Sequence, residues 1–185
     1  MWSLDVEPTG KGGKGTKQQN EELFSQFIQE HGDKALRYAF VTLHSHQDAE
    51  DITQEAFFKL WRFIGRRGIE NLSPALLFHT ITNLCRDRMR YHQRHPEDPS
   101  DLIETSSVSL DEIPALSDDM LVLDAVMQLN IGERQCVTLF YYLDYSLKDT
   151  AHALGVNDQV VKTRLYRARQ HLKTILAPMM KEGSL

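Results

Sequence analysis

The residues best suited to chemistry lie between positions 146 and 172, where polar and cationic side chains recur at helical spacing. Ser146 followed by Asp149 resembles a capping box, which begins a helix. Gly155 can adopt the positive φ that a tight turn requires, and Asn157 can cap the helix that follows. This layout predicts a helix-turn-helix, a DNA-binding element.

The second of these helices has one apolar and one polar face. Val161 and Leu165 are expected to point inward, which places an adjoining set of side chains outward. Cations and hydroxyls on one helical face can reach base edges and phosphates in a major groove. The outward residues are Lys162, Thr163, Tyr166 and Arg167. The alternative is a helical hairpin whose basic face contacts only solvent, and the motif alone leaves repressor, transposase and polymerase-accessory roles open.

No catalytic or metal-binding motif accompanies this element. The sequence has no phosphate-binding glycine loop, no nucleophile elbow and no HExxH pair, so we expect neither enzyme activity nor a cofactor. Cys85 and Cys136 have no CxxC partner and are expected in the core. A zinc site built from His79, His92 and His95 has no repeated ligand spacing to support it.

Charge is distributed unevenly along the chain. The 185 residues carry a net charge of -5, which argues against an indiscriminate nucleic-acid binder. Residues 76–95 and 148–173 are nonetheless basic, by +3 and +4, whereas residues 97–125 hold nine acids and no base. No window approaches the roughly 20 apolar residues needed to cross a bilayer, and we expect a soluble, cytoplasmic protein.

Apolar residues at three- and four-residue steps predict helices throughout. One such stretch follows Glu21 and is expected to divide into two helices at Gly32, and a second ends near Gly65 to Gly68. A third begins at Ser73-Pro74, where serine can cap and proline suits the first turn. No stretch alternates with a period of two, so the expected fold is all-α.

Composition divides the chain into two small helical domains and three connecting or terminal segments. Glycine and lysine dominate a tail over residues 1–20, and acids, serine and proline dominate a flexible linker over residues 96–117. The helical domains are expected at residues 21–95 and 118–177, with a second tail at 178–185.

Three motifs, in order, resemble the sigma-70 family of bacterial transcription factors. The run DAEDITQEAFFKLWRF, Asp48 to Phe63, resembles the family's most characteristic signature. LLFHTITNLCRDRMRYHQRH looks like the promoter-melting helix, and GVNDQVVKTRLYRARQHLK looks like the second half of its helix-turn-helix. The order is similar to that of the extracytoplasmic-function class, in which only regions two and four remain. The resemblance implies a factor that binds bacterial core RNA polymerase and directs promoter-specific initiation.

The resemblance assigns the first motif to polymerase binding. In the family this helix contacts the clamp helices of the beta-prime subunit. Carboxylate and amide acceptors on one face fit a basic partner surface. The residues implied are Asp48, Glu50, Asp51, Gln54 and Glu55. A solvated acidic face is the alternative.

The resemblance implies that the third helix recognises the minus-ten element as a single strand. Asn83 would hold a base flipped from the nontemplate strand. The arginines expected to follow the phosphates are Arg86, Arg88, Arg90 and Arg94. Asp87 is expected to anchor the helix or a neighbouring arginine. His79, His92 and His95 stand where arginines are expected, and neutral imidazoles attract phosphates weakly.

In the second domain, Lys162, Thr163, Tyr166 and Arg167 would read the minus-thirty-five element in duplex form. Arg164 and Arg169 are expected to face phosphates or the beta flap of the polymerase. The family further implies an anti-sigma partner. A different class of protein, a stand-alone helix-turn-helix regulator that binds an operator as a dimer, would use residues 21–95 for dimerisation or ligand binding.

Overall fold

Three amphipathic helices form the first half of the structure. The computed structural model describes residues 17–95 and 120–182. Helix α1 spans Lys17–Leu43, α2 spans His46–Arg67 and α3 spans Pro74–Arg94, with a short 3₁₀ turn at Ile69–Asn71 before α3.

Four further helices form the second half. They are α4 at Met120–Met127, α5 at Ile131–Val137, α6 at Leu147–Leu154 and α7 at Asp158–Glu182. A π-helical segment, Thr138–Tyr142, continues directly from α5. Helices and turns account for the described ranges, so the all-α prediction is confirmed there.

The prediction that Gly32 divides the first stretch into two helices is wrong. Helix α1 is continuous through this residue. Its buried side chains before the glycine, Phe24 and Ile28, stay in register with Ala35 and Tyr38 after it. A glycine within a helix costs only about 1 kcal/mol relative to alanine, and burial of a shared apolar face outweighs that cost.

Two helices extend past the predicted domain boundaries. Helix α1 begins at Lys17, within the predicted tail of residues 1–20, and α7 continues to Glu182, past the predicted end at 177. The predicted linker at 96–117 lies outside the described residues. No helix of the described ranges is long and apolar enough to cross a membrane.

Polar caps fix where α2 and α3 begin. The hydroxyl of Ser45 accepts a hydrogen bond from the backbone of Asp48 at 3.2 Å. Ser73 accepts one from Leu76 at 3.3 Å, and Pro74 occupies the first turn of α3. Each cap satisfies an amide that has no partner within its helix, as the sequence predicted for Ser73.

Aromatic side chains fill the core of the first domain. Phe24 lies 5.0 Å from Trp61 and 6.4 Å from Phe57, measured between ring centroids, which joins α1 to α2. Tyr38 and Phe78 pack edge to face at 5.4 Å and join α1 to α3. These contacts fix the three helices relative to one another and thereby position the polar faces of α2 and α3.

Candidate functional site

The helix-turn-helix forms as the sequence predicts. Asp149 donates its backbone N–H to the Ser146 hydroxyl at 3.1 Å, at the start of α6. Gly155 ends α6 with φ of 62°, in the left-handed region. Asn157 then accepts the backbone N–H of Val160 at 2.9 Å and caps α7. These local bonds fix the angle at which α7 leaves the turn.

Helix α7 presents the predicted outward face. Val161 and Leu165 are buried. The exposed residues on the other side are Lys162, Thr163, Tyr166 and Arg167. Tyr166 is 59% exposed, so an aromatic ring is available to a partner between two cations. This surface, the α7 face, has the donors and the cations that a DNA major groove accepts.

Arg164 is placed differently from these four residues. Its side chain is half-buried and hydrogen-bonds to Cys136. Its guanidinium also lies against Gly132 at the start of α5, where an added Cβ would be 3.2 Å from Cζ. Arg164 therefore has a partner inside the domain, and its predicted contact with phosphates or the flap stays a prediction. Arg169 is exposed and donates to the Tyr141 hydroxyl at 3.3 Å.

The polar side of α2 carries an acidic surface, as the first motif predicts. Glu50, Asp51, Gln54 and Glu55 are all exposed. Two of them have helical partners: Glu55 pairs with Lys59 at 2.9 Å and Glu50 approaches His46 to 3.5 Å. Exposed ion pairs of this kind are weak and exchange readily for a partner's cations. We call these four residues the α2 face.

Asp48 turns inward instead. Its side chain is only 15% exposed and forms an ion pair with Arg88 of α3. Its other carboxylate oxygen lies 3.1 Å from Nε2 of His92. A carboxylate with two partners on the next helix joins α2 to α3. Its predicted place in polymerase binding stays a prediction.

The predicted minus-ten residues of α3 differ in their surroundings. Arg88 is held by Asp48 and also lies 3.9 Å from Asp51. Arg90 pairs with Asp87 at 3.4 Å, which confirms that Asp87 anchors a neighbouring arginine. Asn83 and Arg94 are exposed.

Arg86 and His79 reach from α3 into the second domain. Arg86 donates to the backbone carbonyl of Leu154 at 2.6 Å, and Nδ1 of His79 donates to that of His152 at 3.0 Å. Both carbonyls belong to the last turn of α6. The amide nitrogen of Asn83 lies 3.1 Å from Nε2 of His79. Sequence reasoning missed this contact.

A second polar contact between the domains involves His44, in the bend between α1 and α2. Arg134 of α5 donates to its Nε2 and also to the carbonyl of Met127 at 3.0 Å. Burial, and secondly the charge of Arg134, lower the pKa of His44 to about 4. The imidazole is therefore neutral near pH 7, as an acceptor for Arg134 must be.

Neither cysteine is placed to act as a nucleophile or as a metal ligand. Both are fully buried, as predicted. Burial raises the pKa of the Cys85 thiol to about 12 and that of Cys136 to about 11. Neutral thiols are poor nucleophiles and poor metal ligands. Within the described ranges no three His, Cys, Asp or Glu side chains are grouped to hold a metal ion.

A cavity of about 370 Å³ opens between α2 and α3, near Thr80 and one turn from Asn83. Apolar side chains form one part of its wall and three cations form another. Its remaining lining residues are Lys59, Leu60, Arg62, Phe63, Arg66 and Leu76. Sequence reasoning missed the three cations, although they recur on α2 at steps of three and four residues. The lining thus combines apolar side chains with positive charge.

Comparisons with known proteins agree with this geometry. The family described as Sigma-70 region 2 matches residues 27–95, and Sigma-70, region 4, matches residues 119–172. The first match contains α2 and α3, and the second contains the helix-turn-helix.

Two relatives from Mycobacterium tuberculosis are similar along most of the chain. The ECF RNA polymerase sigma factor SigM is 30% identical over 83% of this chain and 76% of its own. The ECF RNA polymerase sigma factor SigL is 30% identical over 83% of this chain and 89% of its own.

The fold is also similar to a solved structure, that of the sigma factor RpoE from Bartonella quintana in complex with the anti-sigma factor NepR. The TM-score is 0.67 at 23% identity, over 83% of this chain and 96% of that one. Fold, motifs and relatives agree: the chain belongs to the sigma-70 family, as an ECF-type RNA polymerase sigma factor that directs promoter-specific transcription.

Proposed function

We propose that three surfaces of the chain have separate binding roles. The α2 face binds core RNA polymerase, α3 holds the melted minus-ten strand, and the α7 face binds the minus-thirty-five element. The observation that carries this proposal is the separation of charge on the surface. The α2 face is acidic and exposed, whereas the α7 face is cationic and exposed. An acidic face repels DNA and suits a basic protein surface, and a cationic face suits DNA.

The α2 face would bind the clamp helices of the beta-prime subunit through Asp51, Gln54 and Glu55. Asp48 stabilises the position of this surface, because its bonds to Arg88 and His92 hold α2 against α3. A contact between α2 and polymerase would therefore also position α3, the helix that faces the melted strand. Catalysis would remain with the polymerase, and the factor would work in the bacterial cytoplasm.

The exposed side of α3 would hold the single strand. Asn83 offers an amide that can bond a base edge, and the neighbouring cavity has apolar and cationic walls. Extruding a base costs a few kcal/mol, and a pocket with cations beside it can offset that cost. Arg94 is exposed at the end of the same helix and can contact phosphates.

We further propose that an anti-sigma factor holds the chain inactive. The relative from Bartonella quintana is solved with such a partner, and it shares the fold over most of its length. The α2 face and the exposed α7 face are the surfaces that an inhibitor would need to cover.

A paired substitution tests the proposed polymerase contact. Asp51→Ala with Glu55→Ala should abolish association with core polymerase, because it removes two acceptors from the α2 face. The matched control, Glu22→Ala with Asp33→Ala, removes two exposed carboxylates from α1 and should associate normally. Pull-down at low salt measures both, with circular dichroism to verify folding. Normal association of the α2 variant would reject the proposed contact.

A further inference from the structure

Thr163 belongs to the α7 face, and its hydroxyl proton already has a partner within the helix. The hydroxyl donates to the backbone carbonyl of Gln159, one turn earlier in α7, at 2.9 Å. A hydroxyl has a single proton and two acceptor lone pairs. Because the side chain is exposed, the oxygen of Thr163 offers lone pairs to a partner but no proton.

The same hydrogen bond fixes the orientation of the side chain. Threonine has few staggered rotamers in a helix, and a bond to the carbonyl four residues earlier selects among them. While the oxygen is held by the carbonyl of Gln159, the methyl group takes a separate staggered position on Cβ. Thr163 therefore presents a hydrogen-bond acceptor and a methyl group side by side.

The cations beside Thr163 offer the opposite chemistry. Lys162 and Arg167 are exposed and carry only hydrogen-bond donors. Donors fit phosphate oxygens, and they fit the N7 and O6 acceptors of guanine. Thr163, whose proton is engaged, fits neither of these groups. It therefore differs from its neighbours in the bases that it selects, although all three residues belong to the α7 face.

The edges of the bases in the major groove indicate which base pair suits Thr163. The hydrogen-bond donors there are the N6 amino group of adenine and the N4 amino group of cytosine, and the C5 methyl group belongs to thymine. An A·T pair combines an amino donor with a methyl group, whereas a C·G pair has the donor alone. Both groups of the Thr163 side chain are therefore complementary to an A·T pair.

We propose that Thr163 is a specificity-determining residue that selects an A·T pair at one position of the minus-thirty-five element. Its oxygen accepts from the adenine amino group, and its methyl group contacts the methyl group of thymine. This inference rests on the proposed function for the binding of the element by the α7 face. It adds the identity of one base pair and the two atoms of this chain that recognise it.

Transcription by the holoenzyme tests the assignment. Core polymerase with the full chain is assayed on promoters whose minus-thirty-five base pairs are replaced one at a time. The unsubstituted chain should prefer A·T to G·C at the position that Thr163 contacts, by about 5- to 100-fold. Thr163→Val keeps the methyl group and the shape but removes the acceptor, so the preference should fall at that position alone. An undiminished preference at every position would overturn the proposal.

Thr174→Val is the matched control. Thr174 is exposed on the same helix, and its hydroxyl donates to the carbonyl of Gln170 at 3.1 Å in the same bonding pattern. The position lies about three turns further along α7, outside the α7 face, so every base preference should remain unchanged. An equal loss of preference in both variants would mean that the helix itself has changed, and it would reject the proposal.

Replacement of thymine by uracil tests the methyl contact, because it removes only the methyl group from the base. With uracil at the selected position, transcription by the unsubstituted chain should fall by about fourfold, the effect of one buried methyl group. Thr163→Ser keeps the hydroxyl but lacks the methyl group, and it should respond equally to thymine and uracil. An equal response to the two bases in the unsubstituted chain would overturn the proposed contact.

Failure of this inference is distinguishable from failure of the proposed function. If Arg167→Ala weakens use of the element but Thr163→Val keeps every base preference, only the selection by Thr163 is rejected. If no replacement within the element and no substitution on the α7 face changes transcription, both are rejected. A preference for guanine that disappears in Thr163→Val would mean that the hydroxyl donates to the base, contrary to the proposal.

Discussion

Charged residues of this chain fall into two groups according to their partners. Asp48 and Arg88 bond to each other across two helices, and Arg134 bonds to His44 and a backbone carbonyl. Residues such as Asp51, which Arg88 approaches only to 3.9 Å, and Arg167 are exposed. The first group stabilises the fold, and the second is available to polymerase or DNA. Residue type alone does not separate them, because both groups occur within the same motifs.

Arg167 is the cation of the α7 face that we expect to read a base. Arg167→Ala should weaken use of the minus-thirty-five element by about 1–3 kcal/mol if its guanidinium contacts a base edge. The loss should disappear on templates whose minus-thirty-five sequence is scrambled, where no specific contact exists to lose. Abortive transcription on the two templates measures this difference.

Lys173→Ala is the control for that substitution. It removes an exposed cation further along the same helix and should not discriminate between the templates. Equal losses on both templates for Arg167→Ala would mean that the residue contacts only phosphates, contrary to the account.

His44 predicts a pH dependence of stability. Its folded pKa is lowered to about 4, whereas its ordinary value is 6.5. Between these values the unfolded chain binds a proton that the folded chain does not, so stability should fall as the pH drops from 6.5 towards 4. Urea denaturation at several pH values measures the slope.

His44→Asn is the matched control, because asparagine tolerates the left-handed backbone of this position, φ of 61°. Burial also lowers the pKa of His31, with Lys34 acting in the same direction and Glu30 against it, so some acid sensitivity should remain. An unchanged slope in His44→Asn would contradict the assignment to His44.

At the scale of the helices, Asp48 and Asp51 should separate stability from polymerase binding. Asp48→Ala should lower the free energy of unfolding by about 1–3 kcal/mol, because it leaves Arg88 and His92 without a shared, mostly buried carboxylate. Asp51→Ala should change it by less than about 1 kcal/mol, since that carboxylate is exposed. Chemical denaturation measures both free energies of unfolding. An equal decrease in the two variants would argue against an internal role for Asp48.

The sequence predicts these helices well wherever the determining interactions are local. The caps at Ser73 and Asn157 and the left-handed Gly155 involve neighbours within a few residues, so local rules suffice. Gly32 shows the opposite case. Its helix continues because packing against α2 and α3 outweighs glycine's local preference, and that packing depends on distant residues.

At the scale of the whole molecule, the candidate surfaces were predictable but their surroundings were not. Periodicity and resemblance together pointed to the α2 and α7 faces. The contacts of Arg86 with Leu154 and of Arg134 with His44 span 68 and 90 residues of sequence. Single-sequence patterns carry no information about such pairs. One signal in the sequence does concern this part of α3: His79 stands where an arginine is expected.

The free chain has two features that bear on DNA binding. It is acidic overall, with a net charge of -5, and Asn83 is engaged by His79 and Arg86. Both features oppose DNA binding in the absence of polymerase. A stand-alone operator-binding regulator would instead bind DNA tightly by itself, and membership in the sigma-70 family does not favour that alternative.

The assignment of this chain as a sigma factor is tested by run-off transcription with purified bacterial core polymerase, with and without the chain, on a genomic promoter library. We expect a set of transcripts that appears only when the chain is added, with start sites downstream of shared minus-thirty-five and minus-ten sequences. Identical transcripts with and without the chain, under low-salt conditions that permit association, would contradict it.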